Sequence, residues 1–122
     1  MKKKILIVDD DENIIDLLQF AFEAVGYEVV CWPNGTKFID MVESSRPDLI
    51  ILDLVMPGID GYSLQILLDE NEATRAIPVI VMTGLPAARG LFEKYPQVKL
   101  FVQKPFNTAA LVKTAIELCG GN

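Results

Sequence analysis

The sequence predicts an α/β fold with an open, five-stranded parallel sheet and helices on both of its faces. Short β-branched runs alternate with segments whose apolar residues recur at helical spacing, and this strand–helix rhythm repeats five times within 122 residues. The length is that of one domain, because domains average roughly 150 residues. Hydrophobic residues make up 51% of the chain and charged residues 23%, which is typical of a globular protein with a packed core. We therefore expect residues 1–122 to form a single domain.

The first two strand–helix units lie in the amino-terminal part of the chain. Residues 5–8 form a short β-branched run that indicates a buried strand, and residues 28–32 indicate a second strand. Gly26 ends the helix between them, because glycine readily adopts the left-handed conformation that follows a helix. The predicted apolar face of that helix consists of Ile14, Leu17, Leu18, Ala21, Phe22 and Val25. The second helix ends before Pro47, and its apolar positions are Phe38, Met41 and Val42.

Three further strands are predicted at residues 49–52, 78–82 and 98–102. Residues 62–69 form the helix that follows the third strand. The last helix begins at a cap provided by Asn107 or Thr108. Its apolar positions are Leu111, Val112, Ala115, Ile116 and Cys119.

The segment between the fourth and fifth strands has the weakest helical pattern. Pro86 and Pro96 bracket it and Gly90 lies inside it, so we expect at most two helical turns. One face of these turns would be formed by Ala87, Ala88, Leu91 and Phe92.

The predicted topology brings several polar side chains to one edge of the sheet. For five such units the flavodoxin-like strand order 2-1-3-4-5 is the natural one, and sites in these sheets form at the carboxyl ends of the strands. Asp9 and Asp10 follow the first strand directly, and Asp53 follows the third. Thr83 follows the fourth strand and Lys104 the fifth. Three carboxylates, a hydroxyl and an ammonium group are therefore expected to converge there.

Composition excludes several classes of function. The chain contains no histidine, so it holds no Ser-His-Asp triad and no histidine-ligated zinc or haem, and it cannot itself donate a phosphoryl group from histidine. With 11 basic and 17 acidic residues its net charge is −6, which argues against nucleic-acid binding. Two cysteines far apart in sequence suggest reduced thiols. The apolar runs are too short to cross a membrane or to form a signal peptide, so we expect a cytoplasmic protein without a membrane partner.

The carboxylate cluster predicts a particular chemistry. Two like charges about 4 Å apart repel by roughly 4 kcal/mol at an effective dielectric constant of about 20, so a compensating cation is expected. Carboxylate oxygens without imidazole or thiolate ligands favour Mg²⁺. A carboxylate can also attack phosphorus and form an aspartyl phosphate, and Asp53 is the strongest candidate because it stands alone opposite the acid pair. Lys104 and the Thr83 hydroxyl would neutralise the phosphoryl charge.

The sequence resembles the receiver domain of two-component response regulators over nearly its whole length. The resemblance rests on several motifs at the spacing typical of that family. These are Val8-Asp9-Asp10, residues 47–53, residues 56–61, Thr83-Gly84 and Lys104-Pro105-Phe106.

The resemblance implies a phosphorylation site and its metal. Asp53 would accept a phosphoryl group from a phosphohistidine on a histidine kinase or phosphotransfer protein. Asp10 and Asp53 would bind Mg²⁺ through their side chains and Val55 through its backbone carbonyl, while Asp9 would act largely through water. The domain would phosphorylate and dephosphorylate itself and would not be a turnover enzyme.

The resemblance also implies roles for residues around the phosphoryl group. Thr83 would hydrogen-bond its oxygens and Lys104 would form an ion pair with them. Phe101 occupies the position of the aromatic switch that acts together with Thr83. The Lys104–Pro105 peptide bond would be cis, a form accessible mainly before proline.

Other interpretations stay open at this point. Asp9-x-Asp11 after the first strand also resembles the haloacid-dehalogenase phosphatases, in which Asp9 would be the nucleophile and Asp11 the acid. A receiver-like binding module that is never phosphorylated is a further alternative. Asp11 and Glu12 are best explained as helix-capping residues, and a lone aromatic such as Phe101 is usually a core residue. The distance from Thr83 to Lys104 is one residue shorter than is usual in the family, so no dimer arrangement is carried over from it.

Overall fold

Five strands of the described chain pair in parallel and form one sheet. The computed structural model describes residues 2–32, 37–54 and 61–120. The strands are β1 (Lys4–Val8), β2 (Glu28–Trp32), β3 (Leu49–Asp53), β4 (Val79–Thr83) and β5 (Val98–Gln103). Their order in the sheet is β2-β1-β3-β4-β5, which confirms the predicted topology.

Helices follow the strands as the periodicity predicts. They are α1 (Glu12–Ala24), α2 (Phe38–Ser45), α3 (Gly61–Glu70) and α4 (Thr108–Leu118), with a 3₁₀ helix at Pro86–Leu91 between β4 and β5. No helix among the residues described is long and apolar enough to span a bilayer.

The two faces of the sheet carry separate cores, because alternate residues of a strand point to opposite sides. Every residue of β3 and β4 is buried, as expected for central parallel strands covered on both sides. One core includes residues of α1 and α4 and the residue that follows α4, namely Ile15, Leu18, Phe22, Leu111, Ala115 and Cys119. The other includes residues of α2, α3 and the segment before β5, namely Phe38, Val42, Leu64, Leu68, Phe92 and Tyr95. Helices therefore cover both faces, as predicted.

The strand register aligns the carboxyl ends of β1 and β3. Val8 is paired with Leu52 across the sheet. The next residues along these strands are Asp9 and Asp53, so these two carboxylates emerge side by side at the same edge. The pairing of β4 with β5 contains one irregularity, between Val79 and Ile80, and then continues to Thr83 opposite Gln103.

The ends of α1 follow the sequence signals closely. Asp11 caps its first turn, because its carboxylate accepts the N–H of Asn13 at 2.9 Å. At the other end Gly26 has a φ of +92°. The N–H groups of Gly26 and Tyr27 donate to the carbonyls of Glu23 and Phe22, which is a Schellman motif. Asn107 caps α4 in the same way as Asp11 caps α1, by accepting the N–H of Ala110 at 2.9 Å.

Two predictions about apolar faces were wrong in part. Leu17 and Val25 were expected on the buried side of α1, but both are exposed, and Ile15 is buried instead. The apolar stripe of α1 is wider than the surface that the sheet covers. In the 3₁₀ helix Leu91 is exposed, whereas Phe92 just beyond it is buried. A 3₁₀ helix turns every three residues, so the face predicted for an α-helical turn does not apply.

Gly61 lies unusually close to the end of β3. Its N–H donates to the Leu54 carbonyl at 2.6 Å. A Cβ atom at this position would overlap the carbonyl oxygen of Asp53 and lie 2.7 Å from the Leu54 Cα. Only glycine therefore permits α3 to begin against the strand end that carries Asp53.

We expect Gly61→Ala to lower the free energy of unfolding by about 1–3 kcal/mol, because the added methyl group must displace backbone atoms. Urea unfolding followed by circular dichroism measures this change. Gly90→Ala is the matched control, since a Cβ there meets nothing within 4 Å. Equal stability of the two variants would contradict the close approach at Gly61.

Candidate functional site

Three carboxylates meet at the carboxyl edge of the sheet. Oxygen atoms of Asp9, Asp10 and Asp53 all lie within 4.8 Å of one another. Asp9 is 0% exposed and Asp53 is 5% exposed, whereas Asp10 faces solvent. The convergence expected from the strand order is thus present in the structure. At this spacing two ionised carboxylates repel by about 3–4 kcal/mol at an effective dielectric constant of about 20.

Lys104 lies between the two buried carboxylates. Its Nζ is 3.3 Å from Asp9 Oδ2 and 3.2 Å from Asp53 Oδ1. The backbone holds the lysine in place, because its N–H donates to the Thr83 carbonyl at 2.8 Å as an extension of the β4–β5 ladder. The Lys104–Pro105 peptide bond is cis. One ammonium group therefore faces two buried carboxylates.

The electrostatics of the three groups are coupled. Burial raises the pKa of Asp53 above its ordinary value, the charge of Asp9 raises it further, and Lys104 acts in the opposite direction. Burial likewise raises the pKa of Asp9, against the hydrogen bond from the Asp11 N–H and the charge of Lys104. Burial alone would lower the pKa of Lys104, but the two carboxylates outweigh it and the pKa is raised. The site holds more negative charge than Lys104 compensates.

The two buried carboxylates differ in how their oxygens are used. Asp9 engages both oxygens, because Oδ1 accepts the Asp11 N–H at 2.8 Å and Oδ2 faces Lys104. Asp53 engages Oδ1 with Lys104. No group of residues 2–32, 37–54 or 61–120 donates a hydrogen bond to Asp53 Oδ2. Asp53 is therefore better placed than Asp9 to offer a carboxylate oxygen to a reactant.

Thr83 lies at the end of β4 and is buried. Its Oγ1 accepts the N–H of Leu85 at 3.0 Å and so fixes the start of the following turn. A hydroxyl that accepts one bond still carries its own hydrogen for donation. The structural role and the predicted ligand-binding role of Thr83 are therefore compatible.

Phe101 lies on the same face of the sheet as Thr83. It pairs with Val81, two residues before Thr83, and its half-buried ring packs against Phe92 with centroids 6.1 Å apart. The Arg89 guanidinium lies 5.9 Å from the centroid of the Phe101 ring. Sequence reasoning missed Arg89, because its contact with Phe101 joins segments that no local pattern connects.

Some predicted residues lie outside the described part of the chain. Val55, the expected backbone ligand, and residues 56–60 belong to this group. The phosphatase alternative assigns Asp11 as the acid. In the structure the Asp11 carboxylate caps the first turn of α1.

Comparison with known proteins assigns the family. A family model described as the response regulator receiver domain matches residues 5–116. The chain belongs to this family. As a receiver domain of the two-component response regulators it is a signalling domain, and neither the phosphatase alternative nor the non-phosphorylated module receives support from these similarities.

Two curated relatives are response regulators. The polar-differentiation response regulator DivK of Brucella anthropi is 32% identical over 116 residues, covering 93% of this chain and 94% of DivK. The alkaline phosphatase synthesis transcriptional regulatory protein PhoP of Bacillus subtilis is 33% identical over 111 residues, covering 88% of this chain and 44% of PhoP. The receiver chain thus corresponds to nearly all of DivK but to less than half of PhoP.

Solved structures of similar receiver domains contain magnesium. The receiver domain of the Pseudomonas aeruginosa sensor histidine kinase PA1611, with a magnesium ion coordinated in its active-site cleft, superposes with a TM-score of 0.86 at 25% identity. The match covers 99% of this chain and 100% of that one. The Thermotoga maritima response regulator TrrA, in complex with Mg²⁺ and BeF, has a TM-score of 0.82 at 30% identity, covering 95% of this chain and 98% of TrrA.

The charge excess at the receiver site has a measurable consequence for folding. Because the pKa of Asp53 is raised in the folded state, its ionised form costs stability above that pKa, and protonation at lower pH removes the cost. We expect metal-free Asp53→Asn to be more stable than the unsubstituted chain at about pH 7, on the order of 1 kcal/mol. The difference should vanish toward pH 3.8, the ordinary pKa at which the unfolded carboxyl also becomes protonated.

Urea unfolding in the presence of a chelator, repeated along the pH series, measures this difference. Asp16→Asn removes an exposed carboxylate of α1 and is the control, for which little change is expected. A lower stability of Asp53→Asn at neutral pH would contradict the inferred charge excess.

Proposed function

We propose that Asp53 accepts a phosphoryl group from a phosphohistidine on a partner protein, in a Mg²⁺-dependent reaction that switches a protein-interaction surface. The observation that carries this proposal is the asymmetry of the two buried carboxylates around Lys104. Asp9 has both oxygens engaged, whereas among the residues that the structure describes Asp53 has a hydrogen-bond partner only at Oδ1, which faces the lysine. Asp53 thus has an oxygen for bond formation while Lys104 already lies beside it.

The reaction forms one bond and breaks one. An Asp53 carboxylate oxygen attacks phosphorus, the phosphorus–nitrogen bond to the donor imidazole breaks, and its electron pair stays on that nitrogen. The product is an acyl phosphate on Asp53 and a histidine on the donor. Because these 122 residues include no histidine, the donor group belongs to another protein or domain.

The oxygen ligands at this edge of the sheet suit a hard divalent cation. The groups that meet at this edge are carboxylates. Because Asp10 is exposed to solvent, an ion that it binds could keep part of its hydration shell. Asp10 and Asp53 would hold Mg²⁺ directly and Asp9 largely through water. Val55, the proposed backbone ligand, lies outside the described residues. When bound, Mg²⁺ supplies positive charge against the carboxylates and the phosphoryl oxygens.

Lys104 and Thr83 would complete the phosphoryl site. The Lys104 ammonium would turn from Asp53 Oδ1 to a phosphoryl oxygen, and the Thr83 hydroxyl would donate to another. Because Phe101 shares a sheet face with Thr83, we propose that movement of Thr83 is transmitted to the Phe101 ring. The output would be a changed surface rather than a released product, so this chain would not be a turnover enzyme.

The proposed partner of the domain follows from the same chemistry. The partner would be a histidine kinase or a phosphotransfer protein of the cytoplasm, and residues 1–122 would act as one receiver domain. A net charge of −6 supports protein partners over nucleic acid.

Phosphorylation can be tested by intact mass. We expect incubation with Mg²⁺ and acetyl phosphate or phosphoramidate to add the mass of one phosphoryl group to the chain. The adduct should be absent in Asp53→Asn, because an amide is not a nucleophile here, and absent when Mg²⁺ is chelated. Asp16→Asn is the matched control and should be modified like the unsubstituted chain.

A different outcome would support the phosphatase alternative. Turnover of a phosphate ester that is abolished by Asp9→Asn and retained in Asp53→Asn would overturn the proposed role of Asp53.

A further inference from the structure

Two successive turns align three side chains in the segment that leads from the 3₁₀ helix to β5. The Phe92 N–H donates to the Arg89 carbonyl at 3.1 Å, and the Tyr95 N–H donates to the Phe92 carbonyl at 3.1 Å. Each of these bonds spans three residues, and side chains three residues apart lie on the same side of such turns. Arg89, Phe92 and Tyr95 therefore share one side of the segment.

The ring of Phe92 contacts two aromatic rings from different elements. Its centroid is 6.1 Å from that of Phe101 on β5 and 5.6 Å from that of Tyr62 on α3. The contact with Tyr62 is edge-to-face, with the ring planes 79° apart. Phe92 is 2% exposed, and a cavity of about 150 Å³ lies beside both Phe92 and Phe101. These two rings have room for a second arrangement, in which the contact of Phe92 with Tyr62 would change as well.

Tyr62 joins this row of rings to the end of β3. It follows Gly61, at which a Cβ atom would overlap the carbonyl oxygen of Asp53. The backbone that carries the Tyr62 ring is therefore held against the strand end that carries the phosphorylation site. Phe92 thus connects β5, with Phe101, to the first turn of α3.

At the surface Tyr62 belongs to a group with Lys94 and Tyr95. The centroids of the two tyrosine rings are 6.3 Å apart, and hydrogen bonds from Tyr95 and Lys94 lower the pKa of Tyr62 below its ordinary value. Lys94 Nζ lies 5.9 Å from the Tyr62 centroid and 5.4 Å from the Tyr95 centroid, where an ammonium group is attracted to an aromatic face. Lys94 is exposed, so a shift of Tyr62 would rearrange charged and hydrogen-bonding groups at the surface.

We propose that Phe92 couples the Phe101 ring to the first turn of α3, so that Tyr62, Lys94 and Tyr95 form a second surface that responds when Phe101 moves. Phe92 is a positioning residue, because it acts through the rings on either side of it. The use of this coupling in signalling rests on the proposed switch at Phe101. The coupling itself is a free energy that can be measured without phosphorylation.

A double-mutant cycle measures the coupling by urea unfolding, in chelator and without a phosphodonor. We expect the effect of Phe101→Leu on the unfolding equilibrium constant to differ about threefold between the unsubstituted chain and Tyr62→Leu, because both rings contact Phe92. In Tyr62→Phe, which keeps the ring, Phe101→Leu should act as in the unsubstituted chain. In a Phe92→Leu background the difference should disappear. Phe20→Leu on α1 is the control, since Phe20 is 76% exposed and its effect should be independent of Phe101→Leu.

Fluorine NMR of the chain labelled with 3-fluorotyrosine gives a second measurement. The chain has three tyrosines, and Tyr27 is an internal control because it is buried in the core on the other face of the sheet. In chelator we expect Phe101→Leu to shift the signals of Tyr62 and Tyr95 and to leave that of Tyr27 in place. After incubation with Mg²⁺ and phosphoramidate, intact mass identifies the modified chain, in which the same two signals should shift.

Several outcomes would overturn the proposal. Independent effects of Phe101→Leu and Tyr62→Leu, or signals of Tyr62 and Tyr95 that Phe101→Leu leaves in place, would contradict the coupling. A modified chain in which these two signals are unchanged would contradict the second responding surface. A chain that phosphoramidate does not modify would count against Asp53 as the acceptor and not against the coupling, which the two measurements in chelator decide.

Discussion

The contact of Lys104 Nζ with two buried carboxylates is the interaction on which the site depends. Asp9 and Asp53 lie almost completely out of solvent, and the ammonium is 3.3 Å and 3.2 Å from them. One positive charge between two negative charges leaves an excess. Burial raises the pKa of both carboxyls, and the neighbouring carboxylates raise it further. Such an arrangement is poised to take up a further cation. A receiver domain proposed to bind Mg²⁺ and then a phosphoryl group needs this incomplete compensation, which a fully neutral site would lack.

The fold produces this contact through its strand register. Val8 pairs with Leu52, so the next residue of each strand enters the site from adjacent positions. The ladder from β4 to β5 continues through the Lys104 N–H to the Thr83 carbonyl, which aims the lysine at the same edge. Gly61 lets α3 start against the end of β3. The phosphoryl chemistry proposed here therefore rests on backbone pairing in the sheet, and Asp10 faces solvent beside the buried carboxylates.

Much of this arrangement could be predicted from sequence, because strands and their ends have local signals. Residues 28–32 were predicted as β2 with its observed bounds, and the convergence of Asp9, Asp10 and Asp53 followed from strand order. The bridging position of Lys104 could not be predicted, since it depends on distances between separate strands. The exposure of Leu17 was missed for a related reason. Helical periodicity identifies an apolar stripe but not how much of it the sheet covers.

The proposed phosphotransfer depends on a site whose excess charge Mg²⁺ relieves, and the unfolding free energy as a function of Mg²⁺ concentration tests this claim most directly. We predict that Mg²⁺ stabilises the chain increasingly with concentration, by about 2.7 kcal/mol at a hundredfold excess over its dissociation constant. The effect should be largely lost in Asp10→Asn and unchanged in Asp16→Asn. Equal stabilisation of all three proteins, or none, would contradict the account.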